Sequence, residues 1–528
     1  SSRLNLPSAC AFGCALNRRG EHFGGSLMSS CPLASSSDLR EGLLSKGRKG
    51  THREQKASQR RSTGSPAPST SSSSTCGELT VGDGVAIIAG TSIGGGFLAL
   101  PSLTTPMGFM PAVTGLFISW AFLCMTALAY AEATLRSIAK QNAARASDPG
   151  LAEAAVDEQP ECSVLTVTRC SLGDKTSVFC SGAFATLMFV VMTAQVVKCG
   201  EILSVMSGLP YVLCCAIPSI AIGVFSFCAG KRLVEQVNTA LTVALVGGFV
   251  ALIFNTVAAG WGTELSTISE RLAFADWRML LPLGPAWSLP VFINLISFGQ
   301  TVPVVVCRFG TERARDIQTS IVVGSFVPFA LCASWAAVSA ALLNHTAGGE
   351  DVATDPVLRM IMAGRAALAI PVEFVAAGAI GTSLVANYLS LGQFATDGIF
   401  SLCGRCTVAS KLWARSAVVA FPLLLACGGP ELYLPLLAFA GAYPTNFLFG
   451  LIPCLAALAL RRSQVGRTRR GPPRLVPGGQ AALWTLACLA ILLIAVSAVL
   501  AWTERTVAGG VDELMRRDYT VAEMVRDL

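Results

Sequence analysis

The stretch GTSIGGG, from Gly90 to Gly96, lies inside an apolar run that extends from Val81 to about Pro106. A bilayer offers no water to backbone N–H and C=O groups, so helix-breaking sequence is tolerated at membrane depth only where those groups face protein or a wet cavity. The glycine cluster therefore predicts a broken membrane helix beside a binding site. The alternative is that the glycines only allow neighbouring helices to pack closely.

Apolar residues dominate the composition of the whole chain. Of its 528 residues, 52% are hydrophobic and 13% are charged, whereas soluble domains have about 25% charged residues. Eleven apolar runs are long enough to cross about 30 Å of hydrocarbon. The sequence therefore predicts an all-α, multi-pass integral membrane protein with its transmembrane domain over 80–502. The predicted spans are 82–105, 108–135, 178–203, 209–229, 234–258, 284–308, 319–343, 367–395, 411–428, 431–460 and 480–502.

Positive charge is distributed unevenly between the loops. The loops after even-numbered spans contain 19 Lys and Arg residues, and the loops after odd-numbered spans contain four. Because Lys and Arg stay on the cytoplasm-like side, the amino terminus is predicted inside and the carboxyl terminus outside. Much of the net charge of +7 is thus a topology signal and requires no nucleic-acid partner.

A second interrupted segment occurs in the sixth span, LPVFINLISFGQTVP, from Leu289 to Pro303. Its centre places Ser, Gly, Gln and Thr between two prolines, which predicts another break at mid-depth. Spans 1 and 6 begin two sets of five, and because five is odd the second set enters from the opposite side. The pattern predicts a 5+5 inverted repeat plus one extra helix, and paired broken segments indicate the binding site of a transporter.

Both charges of a zwitterionic substrate need partners at this depth. Half-helix N-termini suit a carboxylate, whereas unwound carbonyls suit an ammonium group. We therefore expect the carboxylate at N–H groups between Ser92 and Gly96, where glycine permits close approach. We expect the ammonium at carbonyls near Ser297, Phe298 and Gly299. Phe298 would form a wall of an otherwise apolar pocket. The predicted substrate-binding residues are Gly90, Thr91, Ser92, Gly94, Gly95, Gly96, Ser297, Phe298, Gly299 and Gln300.

Two of the ionisable residues within the predicted spans are candidates for a functional role, Glu132 and Lys198. Glu132 is near the end of the second span, where a carboxylate is costly and by default a functional candidate. It could instead anchor the span or pair with Arg136, four residues further on. Lys198 could pair with Glu201, three residues further on, or face the central cavity as a positive charge.

The eighth span carries a polar series from Thr382 to Asp397 that includes Ser383. Three of its members fall on about one helical face and could approach the first break as a proton or cation site. Polar packing between helices is the alternative. Backbone carbonyls in the same place could also bind sodium, so the sequence leaves the identity of the coupling ion open. The ion-coupling candidates are Glu132, Lys198, Asn387, Ser390 and Asp397.

The sequence predicts neither a cofactor nor a metal site. Cys403-Gly404-Arg405-Cys406 has metal or redox spacing, but no second pair completes a zinc site. No phosphate-binding loop of a primary pump is present. A membrane-embedded enzyme acting on a lipid or thiol is a rival hypothesis, but all three histidines lie outside the predicted spans, so acid–base chemistry there has few candidates. We expect no enzymatic activity.

Three segments fall outside the predicted membrane core. Residues 1–75 are rich in Ser and Arg and poor in acids, which is typical of a transit peptide or of a disordered basic tail. The first possibility suggests the chloroplast envelope. Residues 137–177 are predicted as a flexible inside loop and 503–528 as a tail. Asn344 begins a glycosylation sequon in a predicted outside loop, and its use would place the chain in a secretory membrane instead.

Several of these segments together resemble one known family, the aromatic amino acid permeases, or tryptophan/tyrosine permease family, of the amino acid, polyamine and organocation transporters. The resemblance rests on GTSIGGGFLALP (Gly90 to Pro101), ISFGQTVP (Ile296 to Pro303) and PLLAFAGAYPTNFLFGLIP (Pro435 to Pro453). It implies a leucine-transporter-like fold and proton-coupled transport of tyrosine or tryptophan. The implied partners are the aromatic amino acid, a proton and membrane lipid.

One departure from the family bears on coupling. Many members carry a His in the break of the sixth span, whereas this chain has Gly299-Gln300-Thr301 there. Either coupling uses another group or selectivity has shifted. A carrier of a different amino acid, and a transporter-like sensor that binds an amino acid without carrying it, are the alternative functions.

Overall fold

The computed structural model of the chain describes residues 79–92, 94–147, 163–260, 265–282, 287–343, 355–362, 366–403, 407–463 and 473–526. These residues are helical nearly throughout and include no strand. Among them, ten helices are long and apolar enough to cross a membrane, and the bent pair Val81–Ser92 and Gly95–Met107 makes an eleventh. The all-α membrane fold class with eleven spans is confirmed.

The observed helices follow the predicted spans closely, with most ends within a few residues. Each crossing is named here by its order in the chain. They are span 1 (Val81–Ser92 and Gly95–Met107), span 2 (Phe109–Ser147), span 3 (Asp174–Ser207), span 4 (Tyr211–Cys228), span 5 (Lys231–Gly260), span 6 (Leu289–Leu295 and Val302–Phe309), span 7 (Ala314–Leu342), span 8 (Ala366–Cys403), span 9 (Val408–Ala426), span 10 (Pro430–Ser463) and span 11 (Gly479–Arg526).

Two segments predicted as loop or tail are largely helical. Span 2 continues through Ser147, and a separate helix, Val164–Leu172, precedes span 3, so the prediction of a flexible loop over 137–177 is wrong at both ends. Good helix formers such as Ala, Lys, Gln and Arg extend span 2, and the Ser163 hydroxyl caps the next helix by accepting the Thr166 N–H. Span 11 likewise continues to Arg526 through the predicted tail. Residues 1–75 and the sequon at Asn344 lie outside the described residues.

The packing of the spans repeats with an offset of five. Span 7 packs on span 1, and span 2 packs on span 6; span 5 packs on span 8, and span 10 packs on span 3. Spans 3 and 4 contact each other as spans 8 and 9 do, and spans 4 and 8 contact each other as spans 9 and 3 do. Exchanging each span with the one five positions away preserves these contacts, as the predicted repeat requires.

Small residues set the closest helix contacts. A Cβ atom added to Gly378 of span 8 would lie 2.6 Å from the Leu241 carbonyl oxygen of span 5, and one added to Gly324 of span 7 would lie 2.9 Å from Ile88 Cβ of span 1. Membrane helices gain little from hydrophobic burial against each other, so close backbone packing contributes much of their association. The second of these contacts packs the first half of the broken span 1 closely against span 7.

Candidate substrate site

Span 1 is interrupted at the glycine cluster, as predicted. Its first half ends at Ser92, and Gly94 has an extended backbone, with φ −143° and ψ −175°. The chain resumes as a 3-10 turn over Gly95–Ala99 and then as an α-helix from Leu100, and the two halves differ in direction by 51°. The helix that begins at the break directs its positive dipole end towards it.

Span 6 is also interrupted, between Leu295 and Val302. Thr301 closes a short turn by donating its N–H and its hydroxyl to the Phe298 carbonyl, the latter at 2.8 Å. Pro303 stands in the first turn of the second half, where the missing N–H of proline costs nothing. Among the described residues, no donor reaches the carbonyl oxygens of Ile296 and Ser297. Span 6 therefore leaves two acceptors open at its break.

The two breaks lie next to each other. Thr91 Oγ1 of span 1 is 3.5 Å from Thr301 Oγ1 of span 6, and a Cβ atom added to Gly96 would lie 3.9 Å from Leu295 Cγ. Two interruptions separated by about 200 residues of sequence thus form one region. This juxtaposition is what a substrate site between paired broken helices requires.

Three other spans hold the break of span 1 in place. The Gly95 N–H donates to Ser383 Oγ of span 8 at 2.8 Å, and the Gly95 carbonyl accepts from the Tyr433 hydroxyl of span 10 at 2.9 Å. The Gln195 carboxamide of span 3 lies so close to Gly95 that an added Cβ atom would clash with it. The N–H and the carbonyl of Gly95 are therefore both hydrogen-bonded, and a larger residue at this position would require the Gln195 carboxamide to move.

The predicted substrate residues occupy the breaks in different ways. The Thr91 and Ser92 hydroxyls donate to carbonyls of their own helix, at Ile87 and Ile88. Gly299 approaches Phe449 of span 10, and Phe298 is buried in the core. Gln300 and Ser297 are half-buried, and the Ser297 hydroxyl donates to the Asn294 carbonyl.

Sequence reasoning did not select Gln195, Ser383 or Tyr433 as site residues. Ser383 belongs to the polar series of span 8, and Gln195 lies one turn before Lys198 in an otherwise apolar span. A polar side chain at membrane depth is the signal that could have found both. Tyr433 begins a helix after a loop and carries no such signal.

The Glu132 candidate belongs to a buried group that we name the arginine cluster, formed by Glu132, Arg136 and Arg461. Glu132 accepts from Arg136 Nε at 3.0 Å and from Arg461 Nε and Nη2 at 2.7 and 2.6 Å. The Leu475 N–H completes the shell at 3.2 Å. The pairing with Arg136 was predicted, whereas the bidentate contact with Arg461 was not. Each oxygen of the Glu132 carboxylate thus accepts two hydrogen bonds.

The Lys198 candidate belongs to a second group, the lysine cluster, formed by Lys198, Glu201 and Asp355. Lys198 is fully buried, and its Nζ lies 2.8 Å from Glu201 Oε2 and 2.9 Å from Asp355 Oδ2. Asp355 also accepts from the Ser102 hydroxyl of span 1 at 2.9 Å, and the Lys198 ammonium lies 5.0 Å from the Tyr433 ring centre. The predicted pairing of Lys198 with Glu201 is confirmed, and the second carboxylate is new.

Two of the remaining coupling candidates, Asn387 and Ser390, have no side-chain hydrogen bond to the first break in the described structure. Asn387 is half-buried and Ser390 is exposed, and neither forms a hydrogen bond within the described chain. The side chain of Asp397 is not among those described. Ser383, one turn before Asn387, is the member of the series that reaches span 1.

A separate cavity of about 640 Å³ lies between spans 3, 4, 5 and 8. Its lining is apolar apart from Glu373, and it includes no residue of either break. An amino acid's two charges would find no balanced partners there. The breaks remain the better candidate site.

Comparison with known proteins identifies the family of the chain. Residues 79–497 match the sequence model of the Tryptophan/tyrosine permease family. Tyrosine-specific transport system 2 of Haemophilus influenzae is 24% identical over 80% of this chain and 97% of its own length, and the tryptophan-specific transport protein of the same organism is 24% identical over 72% and 87%. A mutant of the Eremococcus coleocola manganese transporter has a TM-score of 0.50 at 11% identity, covering 84% of this chain and 94% of its own. That likeness concerns the fold alone, and the predicted leucine-transporter-like fold is confirmed.

Proposed function

The chain belongs to the tryptophan/tyrosine permease family and is a membrane transport protein rather than an enzyme, and from this membership we propose that it carries tyrosine or tryptophan across a membrane by proton-driven secondary transport. The observation that carries the proposal is the juxtaposition of the two breaks at Thr91 and Thr301. The relatives named for tyrosine and tryptophan transport support the substrate class.

In this proposal the zwitterion lies between the breaks. Its carboxylate faces the N-terminal end of the second half of span 1, from Gly94 onwards, where the helix dipole is favourable. Its ammonium faces the open carbonyls of Ile296 and Ser297. Phe298 and Gly299 are less suitable acceptors than the sequence suggested, because their carbonyls already accept from Thr301 and Val302.

The lysine cluster is the group that we propose for proton coupling. One ammonium faces two carboxylates there, and an unbalanced negative charge out of water favours binding a proton. Glu132 fits a structural role better, because two guanidinium groups and an N–H already satisfy it. The coupling role of Lys198 among the original candidates is therefore kept, and that of Glu132 is not.

Uptake of labelled tyrosine into proteoliposomes tests the proposal. We expect saturable uptake that tryptophan inhibits, exchange against internal tyrosine, and accumulation driven by an inward proton gradient. Accumulation driven by sodium instead would contradict proton coupling. Saturable binding without exchange would favour a sensor and would contradict transport.

A matched pair of glycine variants tests the site. Gly95→Ala places a methyl group against Gln195, whereas Gly96→Ala meets only Leu295 at van der Waals distance. Overpacking costs about 1–3 kcal/mol, so we expect Gly95→Ala to lower tyrosine uptake about tenfold or more and Gly96→Ala to stay near the wild-type rate. Equal effects of the two substitutions would argue against a site at this break.

The plastid envelope remains part of the proposal on composition alone, since residues 1–75 lie outside the described residues. Fusion of the full chain to a fluorescent protein, with a plastid marker, tests the location. A glycosylated product at Asn344 would contradict it, because that modification occurs in the secretory pathway.

A further inference from the structure

Gln195 carries a buried acceptor that the described chain does not use. The side chain is 1% exposed, and no donor lies within hydrogen-bond distance of its Oε1 atom. An unsatisfied buried polar atom carries a desolvation penalty, and natural structures contain few of them. A donor that arrives from outside the chain would remove this penalty.

The neighbours of Gln195 already have other partners. The N–H and the carbonyl of Gly95, which the carboxamide touches, are bonded to Ser383 and Tyr433. Lys198, one turn further along span 3, is shared between Glu201 and Asp355. Gln195 is thus directed at the break of span 1 and not at a partner within span 3.

The break it faces is the one where the substrate is proposed to bind. Gly96, next to Gly95, contacts Leu295 at the end of the first half of span 6, and the open carbonyls of Ile296 and Ser297 follow directly. A primary ammonium group has three N–H donors. Two carbonyls of span 6 and the oxygen of Gln195 would provide three acceptors around one region.

We infer that Gln195 is a substrate-binding residue whose side-chain oxygen accepts a hydrogen bond from the α-ammonium group of the bound amino acid. The inference rests on the proposed function and assigns one contact within that site. Glutamine provides this acceptor through its side-chain carbonyl oxygen. Its recognition is for the amino group and not for the aromatic side chain.

Gln195→Leu tests the inference, because leucine keeps approximate size and removes the acceptor. In proteoliposomes, we expect the half-saturating concentration of tyrosine to rise about 10- to 100-fold, the scale of a lost hydrogen bond to a charged group. The inhibition constant of 3-(4-hydroxyphenyl)propionate, which lacks the amino group, should stay near its wild-type value. Gln195→Glu retains an acceptor and should bind tyrosine more tightly than Gln195→Leu does.

Thr193→Val is the matched control. Thr193 is buried on the same span, but its hydroxyl donates only to the Phe189 carbonyl of its own helix, so uptake should change little. Unaltered tyrosine affinity in Gln195→Leu would overturn the inference, as would equal weakening of both ligands or an equal loss in Gln195→Glu. A wild-type protein that fails to bind tyrosine would instead overturn the proposed function.

Discussion

The arginine cluster and the lysine cluster have opposite charge arrangements. The first places one carboxylate between two guanidinium groups, and the second places one ammonium between two carboxylates. Glu132 accepts four hydrogen bonds, whereas Lys198 is the one donor to Glu201 in the described structure. A buried carboxylate whose two oxygens are both hydrogen-bonded to cationic partners stabilises the fold only as long as those partners stay in place. A buried carboxylate with spare acceptor capacity can bind a proton.

The two clusters also join different parts of the molecule. The arginine cluster connects the ends of spans 2 and 10 with the chain at Leu475. The lysine cluster connects span 3 with Asp355, outside the spans, and through Ser102 with the second half of span 1. Span 1 packs most extensively on span 7, whereas span 3 packs on spans 4 and 10. Transport in folds of this kind proceeds by motion of one set of helices against another. We therefore expect the lysine cluster, and not the arginine cluster, to open during the cycle.

Glu132→Gln should have the largest effect. It leaves two buried guanidinium groups without their carboxylate, and breaking a buried ion pair in this way costs about 3–5 kcal/mol. We expect a large fall in the melting temperature of the detergent-purified protein, and little folded protein in the membrane. Thr134→Val is the control, since Thr134 is buried on the same span but bonds only the Tyr130 carbonyl. A melting temperature equal to that of wild type would refute the structural role.

Lys198→Met should destabilise less and still abolish transport. Glu201 and Asp355 are 17% and 14% exposed at their side chains, so water and protons can partly compensate for the missing ammonium. We expect a melting temperature between those of wild type and Glu132→Gln, with tyrosine accumulation lost. Retained proton-driven accumulation would exclude Lys198 from coupling.

Asp355→Asn removes one of the two carboxylate charges beside Lys198 and leaves Glu201 in place. The Lys198–Glu201 pair stays balanced, so the melting temperature should change little. The link to Asp355 weakens, and we expect faster hydrogen exchange in the adjoining helix Pro356–Met362 together with slower net uptake. Unchanged hydrogen exchange and unchanged uptake would contradict a role of the Lys198–Asp355 contact in the transport cycle.

Tyr433→Phe should have the smallest effect. It removes the hydrogen bond to the Gly95 carbonyl and keeps the ring beside Lys198. The expected loss is about 0.5–1.5 kcal/mol, seen as a small fall in melting temperature. Tyr443→Phe, whose hydroxyl has no hydrogen-bond partner in the described chain, is the control and should leave the melting temperature unchanged.

Helix geometry explains which contacts could be predicted. Pairs three or four residues apart on one helix, such as Lys198 with Glu201, follow from the helical repeat. The contact of Glu132 with Arg461 spans 329 residues, and nothing local indicates it. The π-helix Gly441–Leu451, which contains Pro444, was likewise not expected, because an apolar run does not distinguish α from π hydrogen bonding.

The sequence alone determined the eleven crossings, because a bilayer requires long apolar helices. It also determined the position of both breaks, because glycine and proline clusters interrupt such helices and leave backbone groups that the bilayer cannot hydrogen-bond. Tertiary structure decided which buried charges meet and which polar groups reach Gly95, because partners on separate spans are brought together by the packing of the whole bundle.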